Sequence, residues 1–152
     1  MNVLFAAISF GICSCIGLSY GNRYRKTHLF WNDFLQFNQL AKIQIKTFSC
    51  PIEKIIEVIP KGDFKSFAES ALKTDATLPF PAYLLPDEKE YLSSYFYQLQ
   101  RMDFIGISAF LEGAAAYLTE QEKKSKLLSD KNVKFSKKLG ILSGLALFIL
   151  MV

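Results

Sequence analysis

The chain is poor in the residues on which most catalytic chemistry depends. Its 152 residues include one histidine, His28, and three cysteines, Cys13, Cys15 and Cys50. A single imidazole cannot build a multi-histidine metal site, and without a C-x-x-C pair neither zinc nor dithiol chemistry has its usual ligands. Cys13 and Cys15 are two positions apart and fall on different faces of a helix. With Cys50 they read as packing thiols, not as a disulfide framework. Glycine patterns that cradle phosphates are missing as well. Carboxylates are scattered, and Asp103 and Glu112 stand nine residues apart with no nucleophile or histidine beside them. The sequence therefore offers no catalytic residue, no metal-ligand set and no cofactor-binding motif. It gives no reason to expect an enzyme or a small-molecule substrate.

Charge is absent from both ends. Residues 1–21 and 139–152 contain no Asp, Glu, Lys or Arg, and all 18 basic and 14 acidic residues fall between Arg23 and Lys138. A chain that is 51% hydrophobic and 21% charged would pass for an ordinary soluble one if the two classes were mixed. Their segregation points to two solvents. Val3 to Tyr20 supplies an uncharged apolar segment near the lower limit of about 17 to 25 residues for a spanning helix. The 14 residues from Leu139 to Val152 reach only about 21 Å at ~1.5 Å per residue, against a hydrocarbon core of about 30 Å. Snorkelling of Lys137 and Lys138, with local thinning of the bilayer, makes up the difference. A cleaved signal peptide would need a basic leader, and nothing basic precedes Arg23, so the first segment reads as a retained anchor.

Arg23, Arg25 and Lys26 follow the first segment directly, and Lys131, Lys134, Lys137 and Lys138 precede the second. Basic flanks stay on the cytoplasmic side of a membrane. The expected topology is two spans, both termini outside and residues 22–138 in the cytoplasm. These runs hold seven of the basic residues and account for the net charge of +4, so a lipid-facing collar explains the charge better than a nucleic-acid track.

The middle segment suits one packed core. From Asn22 to Cys50 there is no proline or glycine, and Phe30, Phe34, Phe37, Ala41, Ile45 and Phe48 recur at helical spacing. Pro51 opens a second helix that ends near Pro60. After the Lys61–Gly62 turn, Asp63 is a candidate N-cap for a third helix, which carries Phe64, Phe67, Ala68, Ala71 and Leu72 on its apolar face. Prolines at 79, 81 and 86 make Leu78 to Pro86 an extended loop, apolar enough to act as a strap over the core or as a docking surface. Asp87 and Glu90 have capping-box spacing for a helix through Leu92, Tyr95, Phe96 and Leu99 to about Met102. Asp103 caps a last helix through Ile107, Leu111, Ala115 and Leu118 that runs on into the C-terminal segment. Gly140 and Gly144, spaced G-x-x-x-G, permit close helix packing there. The expected fold is all-α, with N- and C-terminal transmembrane helices (1–21 and 139–152) flanking a small helical bundle domain (22–138).

The run Lys134-Phe135-Ser136-Lys137-Lys138-Leu139-Gly140-Ile141-Leu142-Ser143-Gly144-Leu145 and its apolar tail resembles the end of the stage III sporulation protein AB family. The order of parts is similar over nearly the whole chain: an N-terminal span, a basic exit like Gly21 to Lys26, a helix leading to a proline-marked turn like Cys50-Pro51-Ile52, a helical middle and a terminal anchor. In the stretch from Tyr95 to Ile107, Leu99 and Asp103 fit the family pattern. Phe96 and Gln100 stand where the family carries glycine, and Ile107 where it carries glutamine.

The resemblance implies a helical domain like the cytoplasmic domains of type II secretion and type IV pilus platform proteins. It implies a non-enzymatic scaffold in the mother-cell membrane, part of the channel between mother cell and forespore. Its partners would be the stage III sporulation ATPase, protein AA, and other stage III channel subunits. Leu99, Asp103, Gly140 and Gly144 become the candidate partner or packing positions. A platform-like subunit of another secretion or pilus system, and a membrane-anchored enzyme or regulator completed by a partner, are the alternatives.

Overall fold

A computed structural model describes residues 2–48, 51–73 and 78–151. It also leaves a number of side chains within the helices undescribed, chiefly in residues 2–10 and beyond 136. The described residues form five helices and no strand: α1 (Asn2–Phe48), α2 (Ile52–Val58), α3 (Asp63–Ala71), α4 (Pro86–Arg101) and α5 (Phe104–Met151). The all-α expectation holds. One compact unit comprises 1–28 and 124–152, and a second comprises 29–123.

α1 continues through Gly21 without interruption for 47 residues, and α5 runs for 48. No proline lies within either helix to remove a backbone hydrogen bond, and an internal glycine costs only about 1 kcal/mol relative to alanine. Among the described residues no helix is long and apolar enough to cross a membrane. The two spans expected at 1–21 and 139–152 thus appear as the uncharged ends of longer helices.

In the second unit, α1 buries the stripe that its periodicity specifies. Phe30, Trp31, Phe34, Phe37, Ala41 and Ile45 are all buried, whereas the side chain of Phe48 lies outside the described residues. Phe34 is the aromatic centre. Its ring stacks on Phe64 at 5.2 Å and meets Tyr95 edge-on at 4.8 Å, both within the range where aromatic pairs attract beyond their area burial. Phe64, Phe67 and Ala68 from α3 and Leu92, Tyr95, Phe96 and Leu99 from α4 close the core. From α5 the buried residues are Leu111, Ala114 and Leu118; Ala115, one position on, is only half-buried.

Residues 78–85 form the strap over this core. Leu84 is buried, and Leu78, Phe80 and Tyr83 pack against the cluster from outside. The Tyr83 hydroxyl donates to Asp63 Oδ2 at 2.7 Å, which ties the strap to the start of α3.

Helix ends differ from expectation by a register step. Pro51 is the N-cap of α2, not its first residue, and Gly62, not Asp63, caps α3. The Lys65 ammonium donates to the carbonyls of Glu57 (2.8 Å) and Ile59 (3.2 Å), so the end of α2 is satisfied by a cation. At α4 the capping contact comes from Glu88, which accepts from the Leu85 N–H at 2.8 Å, instead of from Glu90 behind Asp87. Pro86 fixes that register by occupying the first turn, where its missing N–H costs nothing.

Inside the apolar core sits one buried amide. Asn38 is fully buried; its Nδ2 donates to the Leu111 carbonyl at 3.0 Å, and its Oδ1 accepts from the Tyr95 hydroxyl at 2.7 Å. Replacing Asn38 by Leu leaves the Tyr95 hydroxyl buried without that acceptor, at a cost of about 1 to 3 kcal/mol. The expected result is a lower denaturation midpoint in urea, followed by the emission of Trp31. Adding Tyr95→Phe to Asn38→Leu should cost less than the sum of the two single changes.

The buried tyrosines also set an alkaline limit. Burial, and then the neighbouring Tyr117, push the Tyr91 phenol from its ordinary 10.0 up to about 12, and burial holds Tyr95 well above its ordinary value. A phenol that holds its proton more tightly when folded contributes stability that is complete below the unfolded pKa. That stability is lost as pH rises through the folded one. Thermal melts should be insensitive to these groups up to about pH 10 and should fall progressively between about pH 10 and 12.

Candidate functional site

The described residues hold no group of three or more His, Cys, Asp or Glu side chains arranged to bind a metal ion. Cys15 is an exposed thiol on α1. Cys50 and the side chain of Cys13 lie outside the described residues. Among the described residues chemistry is not concentrated at any point, and the distinctive features are surfaces.

Two open grooves mark the second unit. The first, about 320 Å³, lies between α2 and α3, with Ile56 and Leu72 as its apolar part and Glu53, Glu57, Glu69 and Lys73 around them. The second, about 400 Å³, runs along α4 beside the strap and is lined by Phe80, Lys89, Glu90, Ser93, Ser94 and Tyr97. Next to it the Arg101 guanidinium sits 4.2 Å from the centre of the exposed Tyr97 ring, a cation–π contact at the surface.

The first unit presents a different surface. Ile12 and Ile16 on α1, and Phe135, Leu139, Ile141, Leu142 and Ile149 on α5, are each more than half exposed. Among its described side chains the buried ones are small: Gly21 on α1 and Ser125, Ser129 and Ser136 on α5. A β-carbon placed on Gly21 would lie 3.5 Å from the Val133 α-carbon and 3.7 Å from the Ser136 β-carbon, so the two helix backbones meet closely here.

Of the candidate positions read from the sequence, Asp103 and Leu99 are well defined. Asp103 is exposed and its Oδ1 accepts from the Gly106 N–H at 2.9 Å, which makes it the N-terminal cap of α5. A β-carbon at Gly106 would come within 2.7 Å of that oxygen, so glycine keeps the cap open. Leu99 is buried in the α4 contribution to the core. Gly140 and Gly144 lie on the helical backbone of α5, and their surroundings fall outside the described residues. Of the two described positions, Leu99 thus lies in the core and Asp103 at the surface. Sequence reasoning did not single out Asn38 or Gly21, since a lone Asn in an amphipathic stripe and a Gly beside an apolar run carry no contact information.

The profile of the stage III sporulation protein AB family matches residues 59–152, more than half of the chain. The chain belongs to that family. Membership gives it a role in stage III of sporulation. The match begins at the end of α2 and takes in α3, the strap, α4 and all of α5. No curated protein and no solved structure matches.

In this member of the stage III sporulation protein AB family, the Gly21 contact can be read directly. The 3.7 Å separation suits a disulfide, whose β-carbons stand about 3.5 to 4.5 Å apart. In a background without the native cysteines, Gly21→Cys with Ser136→Cys should crosslink on oxidation. Gly21→Cys with Lys131→Cys should not. A shift in electrophoretic mobility that is reversed by reductant reads the result.

Proposed function

We propose that this chain is a non-enzymatic membrane platform of the stage III sporulation channel, the apparatus that links mother cell and forespore. Its two ends lie in the mother-cell membrane with the termini outside, and residues 22–138 face the cytoplasm. There the helical domain meets the stage III sporulation ATPase, protein AA, and other stage III channel subunits. The observation that carries this reading is the outward apolar surface of the first unit. Side chains such as Ile16, Leu142 and Ile149 are about two-thirds exposed, and exposed apolar residues in such numbers mark contact with lipid or protein.

Three further features support it. The uncharged segments 1–21 and 139–152 are flanked by basic runs, as the cytoplasmic ends of spans are. Family membership supplies the sporulation context. The buried aromatic interior of the second unit, with open grooves on its surface, suits a domain that works by contact. In this reading Gly140 and Gly144 give a close-packing face for the anchors, Asp103 stands at the domain surface, and Leu99 supports α4 from within.

Deletion of the gene should arrest development after engulfment and reduce heat-resistant spores by orders of magnitude, with rescue by the intact gene and none by a version lacking 139–152. Normal counts of heat-resistant spores in the deletion strain would reject the assignment.

A further inference from the structure

The two units divide the charge unequally. The first holds nine of the 18 basic residues, and Asp130 is its one acidic residue; the second holds the other nine basic residues and 13 acidic ones. The net charge of +4 therefore conceals a strongly positive unit and a negative one.

Within the positive unit the contact between Gly21 and the Val133–Ser136 turn brings two basic runs together that are more than a hundred residues apart in sequence. Arg23, Arg25 and Lys26 lie within five positions of Gly21, and Lys131, Lys134 and Lys138 within five of that turn. At ~1.5 Å of rise per residue, all six lie within about 8 Å of the same height along the helices. All six are exposed. Tyr20 and Phe135, also exposed, stand at that height, and the Tyr20 ring packs edge-on against Tyr24 at 5.6 Å. To one side of this level the same helices carry exposed Ile12, Ile16 and Leu142.

We propose that this level is a collar that binds anionic phospholipid headgroups in preference to zwitterionic ones, an inference that rests on the membrane reading above. Basic side chains supply the charge complement, and tyrosine and phenylalanine supply the amphipathic belt found where a protein crosses the headgroup layer. The adjoining exposed apolar residues match acyl chains. A nucleic acid would satisfy the charges and leave those residues in water, so lipid is the occupant that accounts for both features. Each basic residue at an anionic surface favours the charged lipid about fivefold.

The test uses the full chain reconstituted in phosphatidylcholine bilayers with spin-labelled phosphatidylglycerol or spin-labelled phosphatidylcholine as probe. The motionally restricted fraction should be severalfold larger for the anionic probe, and raised salt should lower the preference. The variant Arg23→Gln, Arg25→Gln, Lys131→Gln, Lys134→Gln should lose most of it while Trp31 emission stays unchanged. Equal restriction of the two probes overturns the proposal, and so does a preference that survives the four substitutions or one that a single-stranded RNA abolishes by displacing the lipid. Extraction by alkaline carbonate is the independent control. A chain released from the bilayer would refute the spans and not the collar, since the lipid preference of a surface-bound chain appears in the same spectra.

Discussion

The second unit depends on a single buried amide for its register. Apolar contacts are non-directional, and a helix bearing Phe30, Phe34, Phe37, Ala41 and Ile45 could bury much the same area after sliding by a turn. Asn38 removes that freedom, because its two hydrogen bonds reach Leu111 of α5 and Tyr95 of α4 at once. A slide in either direction would leave buried polar atoms without these partners, which costs more than the apolar contacts can recover. A second fixed point lies nearer the edge. The Trp31 indole N–H donates to Glu88 Oε1 at 3.2 Å while the other oxygen of the same carboxylate holds the Leu85 N–H, so one glutamate joins α1 to the start of α4.

The first unit solves a different packing problem. At the described contact it relies on closeness: Gly21 has no side chain, and Ser136 is small enough for the backbones to approach. Dispersion forces fall steeply with distance, so small residues gain by bringing many backbone atoms into contact. This is the packing logic of helices in lipid, where apolar burial gives little advantage and side chains of any size can face outward. Large exposed residues such as Leu142 and Ile149 are unfavourable in water and unremarkable against acyl chains.

Much of the fold was legible because it follows from periodicity. The stripe on α1, the faces of α3 and α4 and the strap at 78–85 were readable from apolar spacing and proline positions alone. Helix ends were less legible, since candidate caps compete. Asp87 with Glu90 and Leu85 with Glu88 both have the required spacing, and Pro86 decides between them by fitting only the first turn. α1 runs unbroken through the change of composition at Gly21. A change from apolar to charged composition marks a change of solvent and need not mark a change of backbone. Of the candidate positions, Asp103 was readable as a cap from local sequence, whereas the meeting of Gly21 with Ser136 is a long-range fact that no local pattern contains.

Two side chains in the stretch from Tyr95 to Ile107 join α4 to its neighbours. Phe96 is buried, stacked 5.9 Å from Phe37 and edge-on to Phe67 at 5.6 Å. Gln100 donates from Nε2 to the Ala71 carbonyl at 2.8 Å and so satisfies the end of α3. Both contacts fasten α4 to its neighbours, one by packing and one by a hydrogen bond. A glycine pair on this face would let another backbone come close, whereas Phe96 and Gln100 occupy that space with contacts from the domain itself. This stretch therefore acts on internal packing, and the surfaces of the second unit that stay open are the groove of α2 and α3 and the α4 face around Tyr97 and Arg101.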